Sequence, residues 1–363
     1  MPHWIRVYIV PAAVFQSVLI GGGYGTGREA VEYVTQAGPM GGFLAVGCFF
    51  LSLSAVLLAT FEFARTFQTF DYRHFFKALL GPAWFLFEIL AVLLFLLVLA
   101  VVISAASTMA FDWLAVPQLV TTIGVILLTA LVLYVGQSAV ESLLTIWAGL
   151  FSAFLLVVAL FALNQQSLVL EGEFFTASGA KGIQYALYNI AAIPVLLYTI
   201  KAIRSRREAI TAALVAGVAG AFPALLMHMV FIPHLPQILD EALPMLVLIE
   251  SLGVAWIMPI YAALLVGTIV QTAIGTLEGV VQRIDGVLID QNKSQLTKRS
   301  RSFIGIAVLA IASVGSSVGV INLIGQGYGT MAWGFMLVYA IPVLTIGIWK
   351  VFDRRSVISQ EVR

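Results

Sequence analysis

The stretch GGGYGTGREAVEY, residues 21–33, interrupts the first long apolar segment of the chain with five glycines within seven residues. Each glycine costs about 1 kcal/mol in a helix relative to alanine, so a continuous helix is not expected across residues 21–27. The whole segment, residues 6–36, is long enough to cross a bilayer, which puts the break near mid-membrane. Irregular backbone is tolerated at that depth only where it is buried in protein or lines a cavity. The stretch therefore predicts an interrupted membrane helix.

The composition predicts a chain that lies almost entirely in a lipid bilayer. Hydrophobic residues make up 61% of its 363 residues and charged residues only 10%, whereas a soluble domain carries about 25% charged residues. The net charge of +1 gives no indication of a nucleic-acid partner. A single cysteine, Cys48, excludes an internal disulfide and a cysteine metal cluster.

The apolar runs predict ten membrane-spanning segments joined mostly by short loops. With the N-terminus in the cytoplasm, all but two of the 19 Lys and Arg residues fall on the cytoplasmic side, as the positive-inside rule requires. The exceptions are Arg28, inside the first span, and Lys181, at an outer loop. An odd error in the number of spans would put the later basic loops on the wrong side. The predicted spans are approximately residues 6–36, 40–66, 83–111, 116–136, 139–163, 180–203, 207–232, 250–288, 302–318 and 320–351.

The sixth span contains a second interruption, in GIQYALYNIAAIPVLLYT (residues 182–199). Pro194 removes a hydrogen-bond donor and clashes with the carbonyl of Ile190, which by itself could be a simple proline kink. However, if the chain divides into repeats of about 1–163 and 180–351, both breaks fall in the first span of a half. Five spans per half make the second half inverted across the membrane. Paired broken helices in inverted repeats indicate a transporter binding site, within a single transmembrane domain covering residues 1–363.

The segment from Gly21 to Tyr33, followed by Gly38 and a second apolar helix, resembles the start of the YkvI-like bacterial membrane proteins. Those proteins carry a similar glycine-rich stretch containing G-Q-E, and Arg28 stands here at the Gln position. The ten-helix plan with broken helices 1 and 6 is similar to the leucine-transporter-type fold of the amino acid–polyamine–organocation superfamily. The resemblance implies a protein of the bacterial inner membrane with a transport role and an alternating-access mechanism, but it supplies no substrate. Both termini are expected in the cytoplasm from the positive-inside rule. The paired breaks, the inverted repeat and the intramembrane Glu29 favour cation-coupled transport of a small organic solute, with an amino acid or amine as the favoured class.

Glu29 is the strongest candidate for a functional side chain. Charges inside membrane spans are rare and usually functional, and Glu29 could bind a cationic substrate group or take up a proton. The alternatives are an ion pair with a neighbouring helix or a position at the extracellular boundary. Arg28 and Glu32, four residues apart, can pair on one helix face, or Arg28 could meet a substrate carboxylate.

The other candidate substrate-binding residues surround the two breaks. The glycines would present bare backbone to a ligand, although small residues also allow close helix packing. The nearby tyrosines could line a pocket or fill the core. With Glu29, the predicted substrate-binding set is Gly21, Gly22, Gly23, Tyr24, Gly25, Thr26, Gly27, Tyr188 and Asn189.

The eighth span offers Thr268, Gln271 and Thr272 on one helix face. In leucine-transporter-type sodium symporters, a helix-8 carbonyl and two hydroxyls at this spacing hold sodium together with carbonyls at the helix-1 break. The resemblance thus implies a sodium site formed by the Thr268 carbonyl, Gln271 and Thr272, with Gln replacing a hydroxyl. The alternatives are interhelical hydrogen bonds, or threonines bonding back to their own helix. No other cofactor is expected, and a proton is the alternative coupling ion.

Other classes of function have weaker support in the sequence. GYG occurs at residues 23–25 and 327–329, which would suit an ion channel, but the T-V pair that precedes GYG in potassium filters is absent. An enzyme should show clustered His, Asp or Ser at the membrane face, which the sequence lacks. A transporter-like receptor is the further alternative. Elsewhere, Glu62 and Arg65 predict a structural pair, and FDYRHFFKALLG (residues 70–81) predicts an interfacial helix on the cytoplasmic surface.

Overall fold

The computed structural model describes residues 1–135, 137–165 and 176–353, and every regular element within these ranges is a helix. Ten principal helices, α1 to α10, follow one another along the described chain. The first, α1, has two parts, Ile5–Leu19 (α1a) and Arg28–Tyr33 (α1b), and α6 consists of Thr176–Asn189 (α6a) and residues 190–202 (α6b). The others are α2 Gly38–Phe67, α3 Phe85–Leu114, α4 Gln118–Val135, α5 Gln137–Gln165, α7 Arg206–Phe231, α8 Ile257–Asp290, α9 Lys298–Ser316 and α10 Val320–Asp353.

Five continuous helical segments of the described chain are each long and apolar enough to cross a membrane. They are Arg28–Phe67, Tyr72–Leu114, Arg206–His234, Ile257–Ile289 and Val320–Asp353. The predicted start of the eighth span at residue 250 is wrong. An apolar loop helix, Pro244–Ser251, precedes α8 and ends just before Gly253, whose φ is +64°. The spanning helix begins only at Ile257.

The basic segments of the chain come together at one end of the molecule. Segments that meet at the same end must be separated by an even number of membrane-spanning helices. The contacts therefore agree with the predicted order of spans. The contacts are His3 with Glu208 (3.1 Å), Arg65 with the Arg204 carbonyl (3.4 Å), Arg73 with the Arg283 carbonyl (3.2 Å) and Lys350 with the Ala78 carbonyl (2.7 Å). Residues Glu171, Glu173, Arg354, Arg355 and Arg363, which enter the orientation prediction, lie outside the described residues. The assignment of the basic end to the cytoplasm stays a prediction.

Both predicted helix breaks are present. After Leu19 the backbone leaves the helical region at Ile20 (ψ 76°), makes one helical turn over Gly22–Gly25 and reverses at Gly27 (φ +81°) before α1b. In α6, the α-helix ends at Asn189 and continues as a 3₁₀ turn, because Pro194 cannot donate to the carbonyl of Ile190. The two halves of the ten-helix fold thus each begin with an interrupted helix.

Small residues allow the helices around these breaks to pack at close range. A Cβ added at Gly182 would collide with the backbone of Ala45, so α6a packs directly against the backbone of α2. His228 of α7 lies over Gly42 and hydrogen-bonds the carbonyl of Pro39 at 2.8 Å. The consequence is that α1b, α2, α6a and α7 pack tightly and hold one another in place away from the basic end.

The amphipathic segment after α2 forms the predicted helix, Tyr72–Leu80, but its apolar face packs against protein. Phe75 and Phe76 are fully buried and stack edge-on against Tyr339 of α10. The capping residue Asp71 accepts a hydrogen bond from the backbone N–H of His74 at 3.0 Å. The interfacial interpretation is therefore corrected: the phenylalanines that gave the segment its amphipathic pattern belong to the core of the bundle.

Candidate functional site

The two helix breaks are joined by a contact between buried side chains. Glu29 lies in the first turn of α1b and is 6% exposed. Tyr188 lies in the last turn of α6a, and its hydroxyl donates a hydrogen bond to Glu29 Oε2. The carboxylate predicted to be functional and the tyrosine predicted to line the pocket are therefore direct partners, although 159 residues separate them in the chain.

The local backbone explains how Glu29 reaches this position. Gly27 has a left-handed φ of +81°, and a Cβ there would lie 2.7 Å from Cζ of Phe231. Thr26 then caps α1b by accepting a hydrogen bond from the N–H of Arg28 at 3.2 Å. Only glycine satisfies both the conformation and the space at residue 27. The turn therefore fixes the direction in which α1b leaves the break.

The carbonyl groups of the break are held by neighbouring segments. The carbonyl of Thr26 accepts from the backbone N–H of Met245 at 3.0 Å, and that of Gly25 accepts from the Tyr261 hydroxyl at 3.1 Å. A Cβ added at Gly21 would lie 3.3 Å from Thr272 Oγ1. The irregular backbone is thus buried in protein, as its depth requires, and one side of it faces α8.

A cluster of tyrosine rings surrounds the Glu29–Tyr188 contact. Tyr33 stacks on Tyr185 with ring centroids 5.2 Å apart, and Tyr188 stacks on Tyr328 of α10 at 4.7 Å. Tyr185 and Tyr188 are 5.7 Å apart. Sequence reasoning missed Tyr33, Tyr185 and Tyr328. Tyr33 and Tyr185 could have been predicted as site residues from their spacing, since Tyr33 is one helical turn beyond Glu29 and Tyr185 is one turn before Tyr188.

Polar atoms in this cluster are incompletely satisfied. The hydroxyls of Tyr24 and Tyr185 are buried and interact with each other, but neither reaches full hydrogen-bond geometry with any group in the described part of the chain. Asn189 is also buried, but its side-chain Nδ2 donates to the carbonyl of Tyr185 at 2.9 Å, within its own helix. The structure therefore brings Tyr24, Tyr188 and Asn189 to the region of the breaks, and the Nδ2 group of Asn189 bonds back to its own helix.

A second charged layer covers the site on the side away from the basic end; it is called the outer layer below. Arg28 Nη2 binds Glu32 Oε2 at 2.9 Å, as the spacing of these residues predicts, and Lys181 Nζ binds Glu32 Oε1 at 3.0 Å. Arg28 Nη1 donates to the carbonyls of Leu239 (2.5 Å) and Glu241 (3.2 Å) in the loop after α7. These contacts connect α1b, α6a and the outer loop, and they direct Arg28 away from Glu29.

Glu29 has no basic partner among the residues that the structure describes, since its carboxyl is bound only by Tyr188. This distinguishes it from the other glutamates predicted to lie in spans. Glu62 binds Arg65 at 2.7 Å, which confirms the predicted pair, Glu88 lies 3.3 Å from Arg283, and Glu278 lies 3.4 Å from Arg301. Among Glu29, Glu62, Glu88 and Glu278, the carboxyl without a basic partner in the described chain is therefore the one at the helix breaks.

The predicted sodium ligands lie on α8 beside the break. Thr268 Oγ1 donates to the Leu264 carbonyl and Thr272 Oγ1 to the Thr268 carbonyl, both at 2.8 Å, so both threonines bond back to their own helix. Gln271 Oε1 is buried and has no hydrogen-bond partner within the described chain. Residues 1–135, 137–165 and 176–353 contain no group of three or more His, Cys, Asp or Glu side chains that could hold a metal ion.

No family model matches the sequence, and no curated protein matches it. Solved structures of membrane transporters, however, share its fold. A variant of the manganese transporter of Eremococcus coleocola superimposes with a TM-score of 0.60 at 13% identity, over 93% of this chain and 78% of that one. The same transporter bound to an aromatic bis-isothiourea compound gives 0.59 at 12%, covering 94% and 78%.

A sodium-coupled sialic acid symporter in a substrate-bound, outward-open state gives a TM-score of 0.54 at 14% identity, over 93% of this chain and 79% of that chain. Identities this low establish the architecture alone. The chain therefore has the leucine-transporter-type fold, an all-helical membrane architecture with a 5+5 inverted repeat and broken helices 1 and 6.

Proposed function

We propose that this protein is a secondary active transporter that moves a small organic solute, an amino acid or amine, by cation-coupled alternating access. The observation that carries the proposal is the buried carboxyl of Glu29, without a basic partner in the described chain, where α1 and α6 are broken. In inverted-repeat transporters, discontinuous helices form the substrate site near the bilayer midplane. The fold shared with two kinds of transporter supports the same function.

The chemistry of Glu29 suits a site that is charged in only part of a transport cycle. A buried carboxylate without a counter-ion is unfavourable, because desolvation outweighs the stabilisation from one hydroxyl donor. A cationic group of the solute, or a coupled proton, would neutralise it. Release of that cation on either side of the membrane would leave an unstable site, which favours return of the carrier or binding of the next cation.

Sodium is the coupling ion that the α8 residues favour. Thr272 lies beside Gly21 at the α1 break, and the buried Gln271 Oε1 on the same helix offers an acceptor; the Thr268 carbonyl, which now accepts from Thr272 Oγ1, would be the third ligand. The sialic acid symporter of the same fold is sodium-coupled. Manganese, the cargo named for the other neighbour, is less suited to the present site, because hard divalent cations need several oxygen ligands and the break provides one carboxylate.

The glycine-rich segment around Tyr24 supports placing the chain near the YkvI-like bacterial proteins. Membership of that group would put it in the bacterial inner membrane, with both termini and the basic end in the cytoplasm. The clustering of His3, Arg65 and Lys350 contacts at a single end is what the positive-inside rule expects of such a protein.

The experiment that tests the function is uptake by proteoliposomes. The purified protein is reconstituted, and uptake of radiolabelled amino acids and amines is measured under an imposed sodium gradient, a pH gradient or neither. We expect saturable uptake of at least one solute that one of the two gradients stimulates. Glu29→Gln should abolish uptake while the protein stays folded, and Glu278→Gln, which alters a carboxyl paired with Arg301, is the matched control. No uptake under any gradient, or normal uptake by Glu29→Gln, would contradict the proposal.

A further inference from the structure

Several basic side chains at the basic end form no ion pair with a carboxylate of the described chain. They are exposed, and we call them the basic patch: Arg6, Lys201, Arg204, Arg206 and Arg207. Other arginines at this end are paired, which distinguishes the patch from its surroundings. Their ion pairs are Arg65–Glu62 at 2.7 Å, Arg283–Glu88 at 3.3 Å and Arg301–Asp285 at 2.7 Å.

Three segments of the fold bring the patch together. The first residues of α1, Ile5–Ile9, pack against both the end of α6b and the start of α7. Glu208 in the first turn of α7 is already engaged, since one of its oxygens lies 3.1 Å from His3 Nε2 and the other accepts from the backbone N–H of Arg204 at 2.7 Å. The cations of the patch therefore share one surface without a counter-ion from the described chain.

An exposed apolar strip leads from the patch along α7. It consists of Leu214, Val218 and Phe222, which are all exposed and follow Arg207 on the same helix face. The opposite face of α7 packs against α1 and α2. From Arg207 to Val218 the helix rises about 16 Å at 1.5 Å per residue, close to half of the ~30 Å hydrocarbon thickness. The strip therefore extends through one leaflet and has a basic residue at its surface end.

Aromatic side chains border the patch. The guanidinium of Arg206 lies 5.7 Å from the centroid of the Phe352 ring at the end of α10. Trp4 comes just before α1, and Tyr198 lies one turn before Lys201 in α6b; both rings are exposed. Tryptophan and tyrosine favour the headgroup level of a bilayer. The surrounding aromatics therefore place the basic patch at the depth of lipid phosphates.

An anionic phospholipid matches these features better than other anions. Guanidinium groups bind phosphate oxygens through parallel N–H donors. A group of basic residues at one level attracts a lipid with net negative charge, whereas the ammonium group of a zwitterionic lipid would be repelled. A soluble phosphate compound would use the cations but would gain nothing from the apolar strip on α7.

We infer that the basic patch and the α7 strip form a binding site for one anionic phospholipid. Its phosphodiester accepts hydrogen bonds from Arg206, Arg207 and Lys201, and an acyl chain lies along Leu214 and Val218. The site connects the start of α1 and the end of α6b, which belong to the two broken helices, to α7. A bound lipid therefore stabilises the packing of these segments at the basic end. The inference goes beyond the proposed transport function and does not depend on it.

Lipids matched in their acyl chains test this site. Delipidated protein in detergent is titrated with phosphatidylglycerol or phosphatidylcholine of the same chains, and bound lipids are counted by native mass spectrometry. We expect the first phosphatidylglycerol to bind at least about tenfold more tightly than the first phosphatidylcholine, and to raise the melting temperature, because contacts with several basic residues add. Glycerophosphoglycerol, the same headgroup without acyl chains, and inorganic phosphate should bind at least about tenfold more weakly than the lipid, because they bury no methylene groups.

Charge-neutralising variants show whether the lipid uses the patch. Arg206→Gln/Arg207→Gln should weaken phosphatidylglycerol binding about thirtyfold, and Arg207→Gln alone about fivefold, while phosphatidylcholine binding stays unchanged. Lys293→Gln/Arg299→Gln is the matched control, since it removes two exposed basic residues near the same end but outside the patch. It should leave the binding of both lipids unchanged. Melting without lipid checks that each variant is folded.

Several results would overturn the lipid site. They are equal affinity for the two lipids, unchanged phosphatidylglycerol binding by the Arg206→Gln/Arg207→Gln protein, and an equal loss in the control variant. Glycerophosphoglycerol or phosphate that binds as tightly as the lipid would also overturn it, and would indicate a site for a soluble phosphate compound. None of these results bears on Glu29 or on transport, which uptake by proteoliposomes tests separately.

Discussion

Gly27 shows how a single residue sets the geometry of the site. Its φ of +81° costs an L-residue about 1–2 kcal/mol, and an added Cβ would lie 2.7 Å from Phe231 Cζ and 3.1 Å from Met245 Cγ. We expect Gly27→Ala to lower the melting temperature of the purified protein through both effects, with the overpacking adding about 1–3 kcal/mol to the strain. Differential scanning fluorimetry in detergent measures this change.

Gly253→Ala is the control for the strain at Gly27. Gly253 also has a positive φ, +64°, but no heavy atom lies within 4 Å of its added Cβ. The difference between the two melting temperatures therefore isolates the contact with Phe231 and Met245. Equal shifts for the two variants would show that the ring moves aside, so that α7 does not fix the direction of α1b.

At the scale of elements, the outer charged layer holds α1b, α6a and the loop after α7 together. Arg28 carries most of this connection, since its guanidinium is buried and binds two carbonyls and Glu32, whereas Lys181 is partly exposed and binds Glu32 alone. Exposed ion pairs contribute about 0–1 kcal/mol, whereas a hydrogen bond to a charged group contributes about 1.5–3 kcal/mol. The two basic residues should therefore differ in their tolerance of conservative exchange.

We expect Arg28→Lys to destabilise the protein and Lys181→Arg to leave its melting temperature nearly unchanged. A lysine at residue 28 keeps the charge but loses the planar fork that reaches Leu239, Glu241 and Glu32 at once. Thermal melting of the two variants, side by side, measures the difference. If Lys181→Arg were the more destabilising exchange, the Lys181–Glu32 pair between α1b and α6a would contribute more to stability than the contacts of Arg28 with the loop after α7.

The elements also show what the sequence can and cannot predict. Both breaks follow from local chemistry, the glycine cluster and Pro194, and both were predicted. The start of α8 was placed too early, at residue 250, because the turn at Gly253 that separates the loop helix Pro244–Ser251 from α8 lies within an apolar stretch. Glu29 and Tyr188 were each predicted on local grounds. The packing of Tyr328 against Tyr188 depends on tertiary contact between α6 and α10, which no local pattern encodes.

At the scale of the whole molecule, α8 separates two chemically different ends. It has 34 residues and, at 1.5 Å per residue, is about 50 Å long, enough to cross the bilayer. Before it, the loop that contains Asp240 packs on the Arg28 layer. After it, the segment that contains Lys293 leads to Arg301, which binds Asp285 at 2.7 Å at the basic end. Asp240 and Lys293 are both exposed and therefore report on opposite sides of the membrane.

The orientation prediction can be tested with one cysteine at a time, because Cys48 is the only cysteine in the chain. In a Cys48→Ser background, we expect Asp240→Cys to react with a membrane-impermeant maleimide in intact cells. Lys293→Cys should react only after the membrane is permeabilised, because the basic end stays in the cytoplasm. The Cys48→Ser protein without an added cysteine is the labelling control. The reverse pattern would place the Arg28 layer on the cytoplasmic side and contradict the predicted orientation.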